Sequence, residues 1–233
     1  MFLSIYLNLT TVSATHKVTQ NYGKALAMLI KHCGFEPQVA SSVFVAPNAT
    51  LVGKVNIGPK SRVMYGAVID SEGSEIDVGE CSIICENAVI RATASGDVNH
   101  PVSIGDHVFI SPQATIIGCK VESYSYIATG ATVLQGATIH KGAIVAVGAF
   151  VHAKAVIPSD LFVPPKTIAI GDPVKIFSPD EKEALVDAIR SIGFTKIAFD
   201  VEPQVHDRIA VMKKATEVRS KEFESHFNDE IIP

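Results

Sequence analysis

The chain has 233 residues, 47% of them apolar, no tryptophan and a formal charge of −4, enough for one soluble domain with appendages and no footprint for nucleic acid. Four cysteines (Cys33, Cys81, Cys85, Cys119) without a CxxC pair read as free thiols in a reducing compartment, and no apolar run reaches the length of a membrane span. Charge is uneven: residues 1–35 carry Lys17, Lys24 and Lys31 and no acid, whereas 178–233 carry twelve acids against eight bases.

In chain order, the first expected element is a short amphipathic helix. Tyr22, Leu26, Leu29 and Cys33 share one helical face, Lys24 and Lys31 lie elsewhere on it, and Gly34 closes it. Such a helix packs on the protein or lies on a membrane surface. Residues 1–42 are therefore read as an N-terminal extension.

From 43 the period changes to six. Val45, Leu51, Ile57, Val63 and Ile69 form one run, Val78, Ile84 and Ile90 a second, Ile104, Ile110 and Ile116 a third, and Val121, Ile127, Val133, Ile139, Val145 and Val151 a fourth. Four residues after nearly every one stands Ala, Ser or Val, with Gly73 and Lys120 as exceptions. Neither a helix nor an ordinary strand repeats at six. The pattern is that of a hexapeptide-repeat array: short strands turn a corner every six residues, three sides make a coil, and the aliphatic fills the interior. The expected fold is an all-β solenoid, a left-handed parallel β-helix over 43–177 with flanking α-helices at both ends.

The tail, 178–233, reads as helical. Ser178-Pro179-Asp180-Glu181 is a capping box with proline at the first helical position, followed by Leu185, Ile189 and Ile192 on one face and Gly193 as the stop. A second helix is expected after Pro203, with Ile209, Met212 and Val218 roughly on one side.

The turns offer little chemistry. His100, His107, His140 and His152 lie in or beside the solenoid, none paired at HxH or HxxxH spacing, and each reads as a turn residue before a ligand or base. Cys81, Cys85, His100 and His107 nominally supply four zinc ligands, but the hexads put the cysteines on different sides of a rigid coil.

The segments "VFVAPNATLVGKVNIGPKSRVMYGAVI" (43–69), "IDVGECSIICENAVI" (76–90), "HPVSIGDHVFISPQATIIGC" (100–119) and "AIGDPVKI" (169–176) resemble, in order, the signature segments of γ-class carbonic anhydrases. The resemblance implies a trimer with zinc held at subunit interfaces by three histidines, two from one subunit and one from the next. The positions that match those ligands here are Ser95, Pro112 and Ile117. Proline and isoleucine carry no lone pair for zinc, so the expected metal, cofactor and catalytic residues are none. The family's Arg-Gly-Asp is replaced by Asp70-Ser71-Glu72, acids that a neighbour's arginine could meet.

The chain is most similar to the ligand-poor γ-carbonic-anhydrase-like subunits of the membrane arm of mitochondrial respiratory complex I. That similarity implies a non-catalytic structural subunit on the matrix side of the inner membrane. Two further γ-carbonic anhydrase-like subunits would complete a trimer, with membrane-arm subunits as neighbours and peripheral membrane contact through the first helix. Two other readings share the solenoid. A hexapeptide acyltransferase would use His140 or His152 as base beside a cofactor groove, and a metal-free solenoid of the dynactin type is suggested by "IGDHVFI".

Overall fold

The computed structural model describes residues 27–95, 98–202 and 208–232. Strands of two to four residues alternate with corners, and the solenoid strands pair in parallel with the strand one coil later, giving sheets of ten, seven and seven strands along three faces. This is the left-handed parallel β-helix expected from the hexads.

Interior residues stack in columns. On the first face Leu29, Leu51, Ile69, Ile90, Ile116, Val133, Val151 and Ala169 are in register. The second face aligns Val39, Ile57, Val78, Ile104, Val121, Ile139 and Ile157. The third aligns Val45, Val63, Ile84, Ile110, Ile127, Val145 and Val163. Every hexad aliphatic named from the sequence except the partly buried Val45 is at most 4% exposed. The columns also run past the last of them, through Ile157 and Val163.

The small residues fill the corners. Where the second face turns into the third, two successive coils place serine: Ser61 and Ser82 are buried, and their hydroxyls donate to the carbonyls of Gly79 and Gly105 while accepting from the N–H groups of Ser82 and Val108. A buried hydroxyl is tolerated here because each one is satisfied on both sides. Cys81, His107 and Tyr124, at equivalent corner positions, adopt φ of 54°, 54° and 66°, a left-handed conformation in which histidine is over-represented. His107 therefore serves the turn, stacking on Tyr124 at 5.4 Å.

The N-terminal helix is not found where the sequence placed its second half. Met28–Lys31 is a strand of the first face, parallel to Thr50–Val52 and antiparallel to Glu230–Ile232 near the chain's end. Tyr22 and Leu26 lie outside the described residues. The helical spacing loses because an open sheet end offers unpaired backbone groups, and Leu29 continues the interior column. Gly34, expected to end a helix, instead forms a tight turn with Cys33. Both have positive φ, and His32 and Phe35 exchange backbone hydrogen bonds across the turn. Among the described residues the solenoid's sheets thus begin at residue 28, before the expected boundary at 43, and they take in the strand Glu230–Ile232 of the tail.

Among its described residues the tail holds three α-helices: α1 (Lys182–Ile192), α2 (Phe194–Phe199) and α3 (Arg208–Phe223). Only half of the capping box forms, the Glu181 carboxylate accepting from the Ser178 N–H, and α1 starts one residue later. Leu185, Ile189 and Ile192 form its partly covered face, and Gly193 ends it at φ 66°. α2 follows at once, an element absent from the sequence reading. In α3 the inward face is also different: Ile209 is 84% and Met212 50% exposed, whereas Val211 and Ala215 are buried with Val201. This face carries Arg219, one turn beyond Ala215, to the carboxylate of Glu72.

Candidate functional site

The three positions that the resemblance sets against the family's zinc ligands fall in different settings. Ser95 ends the strand Thr93–Ser95 of a hairpin that leaves the solenoid between the first and second faces. Pro112 occupies the corner between the third and first faces. Ile117 ends the strand Thr115–Ile117 on the first face, half-buried against Leu134, Ala153 and Ile197 together with Phe150, Ile192 and Phe194. An apolar side chain at 117 is what this packing calls for: it helps seat the α1–α2 junction on the solenoid. Neither the Pro112 nor the Ile117 side chain carries a donor atom for zinc.

Asp70-Ser71-Glu72 finds charge and hydrogen-bond partners within the chain. Glu72, 6% exposed, contacts the Arg91 guanidinium and lies 3.3 Å from Arg219. The Ser71 hydroxyl accepts from the Lys54 N–H at 2.8 Å. Burial raises the Asp70 carboxyl above its ordinary value, partly offset by the nearby Arg91. The expectation that a neighbour's arginine would meet these acids is corrected for Glu72, because Arg91 and Arg219 already do so.

The histidines of the solenoid are dispersed. His152 is 5% exposed, accepts the Ala153 N–H at Nδ1 and packs edge-on to Phe194 at 5.4 Å; burial holds its pKa below the usual value. His140 lies 3.1 Å from Glu122, whose carboxyl Lys120 and His140 together hold near 2. His100 is held low chiefly by burial and then by Lys154. Cys81, Cys85, His100 and His107 are not gathered into one cluster. Cys119 takes the small-residue place at a shortened corner, its thiol pushed up to about 12 by burial.

Two features escaped the sequence reading. The first is a ladder of outward side chains up the third face, in register coil after coil: Phe44, Arg62, the half-buried Ile83, Phe109, Tyr126, Ile144 and Phe162. At about 4.8 Å per strand it is roughly 29 Å long. Its signal was the residue just before each interior aliphatic. The second joins the chain's two ends: His32 Nδ1 and His226 Nδ1 lie 2.6 and 2.8 Å from the two oxygens of Asp229. No spacing rule connects residues 194 positions apart.

Comparison with known proteins fixes the family. No family model matches the chain. Gamma carbonic anhydrase 1, mitochondrial, of Arabidopsis thaliana is 39% identical over 106 residues, covering 44% of this chain and 38% of that one. The carbonic anhydrase of Geobacillus kaustophilus is 34% identical over 165 residues, covering 71% of this chain and 83% of that one. The chain belongs to the γ-carbonic anhydrase family. Gamma carbonic anhydrase-like 1, mitochondrial, of Arabidopsis thaliana is 33% identical over 88 residues, 37% of this chain and 35% of that one. The match spans well under half the length of these plant γ-carbonic anhydrase relatives. Among solved structures, a hexapeptide transferase family protein from Anaplasma phagocytophilum is 19% identical with a TM-score of 0.45, covering 86% of this chain and 98% of that one.

Proposed function

We propose that this γ-carbonic anhydrase family member is a non-catalytic structural subunit of the membrane arm of mitochondrial complex I, working in a trimer with two histidine-bearing relatives. The observation that carries the non-catalytic part is Ile117: a position matching a zinc ligand is occupied by an aliphatic that packs against Leu134, Ala153 and Ile197. Mitochondrial placement is supported by the names of the plant relatives. An assembly role is supported by the ladder on the third face. Monomeric proteins keep extended apolar patches small, and a flat row of Phe, Ile and Tyr on a stiff support suits a partner surface.

The acyltransferase reading is the weaker one, because His152 is covered by Phe194 and its Nδ1 is already engaged by the Ala153 N–H. Stopped-flow measurement of carbon dioxide hydration by the purified full chain, with zinc supplied, tests the proposal. The expected rate is the buffer background. Hydratase activity that chelation removes would overturn it, and measurable acetyl-CoA affinity would favour the transferase.

A further inference from the structure

The His32–Asp229–His226 cluster is built from parts that have no other evident task. His32 is 1% exposed at the end of the first strand, and His226 and Asp229 come from the turn of 3-10 helix and the residue before the last strand. The imidazoles stack at 4.2 Å, 22° from parallel, with both Nδ1 atoms on the same carboxylate. Ser225 gives its hydroxyl proton to the Glu222 carbonyl at 2.7 Å, so its oxygen, 3.4 Å from His32 Nε2, can only accept there. Cys33 Sγ stands 3.2 Å from the same nitrogen. Two imidazoles and one carboxylate thus meet at one place, with ligand atoms within 4.8 Å of one another, and all three are donor types that transition metals take.

We infer that His32, His226 and Asp229 form a binding site for a divalent first-row metal such as zinc, which fastens the C-terminal tail to the first strand of the solenoid. Two imidazoles and one carboxylate suit zinc and not magnesium or calcium, which take oxygen ligands. Tetrahedral zinc separates its ligand atoms by about 3.3 Å. The two N···O spacings, 2.6 and 2.8 Å, need to open by roughly 0.5–0.7 Å to reach that separation. Ser225 and Cys33 would then orient His32 through Nε2–H, as outer ligands do in metal sites.

The test is zinc retention by the chelator-stripped full chain after desalting, with Asp229→Asn and His226→Gln as variants and His107→Gln as control. One equivalent is expected in the wild type and the control, with affinity at least tenfold weaker in both variants. In the wild type, zinc should also block carbethoxylation of His226, mapped by mass spectrometry, a readout that does not depend on the variants folding. No retained zinc, retention undiminished in Asp229→Asn, or carbethoxylation of His226 unaffected by zinc would each overturn the site.

Discussion

Arg219→Gln should release the tail from the solenoid. The guanidinium of Arg219 lies 3.3 Å from Glu72 and 2.8 Å from Glu222, and donates to the Ala198 carbonyl at 3.2 Å. It is 17% exposed, and the Glu72 carboxylate opposite it is 5% exposed. Charge-assisted hydrogen bonds contribute about 1.5–3 kcal/mol each, and breaking one partner of a buried pair costs about 3–5 kcal/mol. Glu72 keeps Arg91, and Glu222 can regain some water, so the net loss should be about 2–3 kcal/mol. That is roughly a 30- to 150-fold rise in tail opening. Limited proteolysis within α3, with urea denaturation of the same samples, measures it. Arg190→Gln is the reference, because the Arg190–Asp187 pair is more than 70% exposed and should count for under about 0.5 kcal/mol. Equal proteolysis rates in the two variants would refute the role given to Arg219.

Three further outcomes are expected. His152 and His100 both have pKa values lowered chiefly by burial, so the unfolded chain binds more protons below about pH 6.5 and stability must fall as pH drops through that range; His152→Leu should flatten the slope between pH 7.5 and 5 in denaturation curves. Ile116→Ala, in the middle of the first interior column and 0% exposed, should cost about 2–5 kcal/mol by denaturant titration, whereas a change under about 1 kcal/mol would mean the column is not close-packed. Phe109→Glu with Phe162→Lys, two ladder positions on non-adjacent strands, should leave the circular dichroism spectrum and melting temperature nearly unchanged while abolishing co-purification with partner subunits; intact co-purification would remove the third-face ladder as an interface.

What the sequence revealed, and what it hid, follows from the range of the interactions. Hexads such as Ile104, Ile110 and Ile116 announce themselves because each coil repeats the same local task, an aliphatic inward and a small residue at the bend. Leu29 was misread because Leu26, Leu29 and Cys33 satisfy a helical face equally well. Only the exposed end of the sheet, together with Glu230–Ile232 arriving from the far terminus, decides for a strand. The inward face of α3 was missed for a similar reason: Ile209 and Met212 are the more apolar choice, but Arg219 must reach Glu72. The ligand positions were legible only through the family resemblance. That Ile117 has acquired a packing role was not, since Leu134, Ala153 and Ile197 meet it only in the folded chain.

The account rests most directly on the composition of the native assembly, read by native mass spectrometry of the complex captured through this chain. One copy of the chain with two histidine-bearing γ-carbonic anhydrase relatives, attached to membrane-arm subunits of complex I, is the predicted result. A homotrimer of this chain free of those subunits, active in hydrating carbon dioxide, would contradict it.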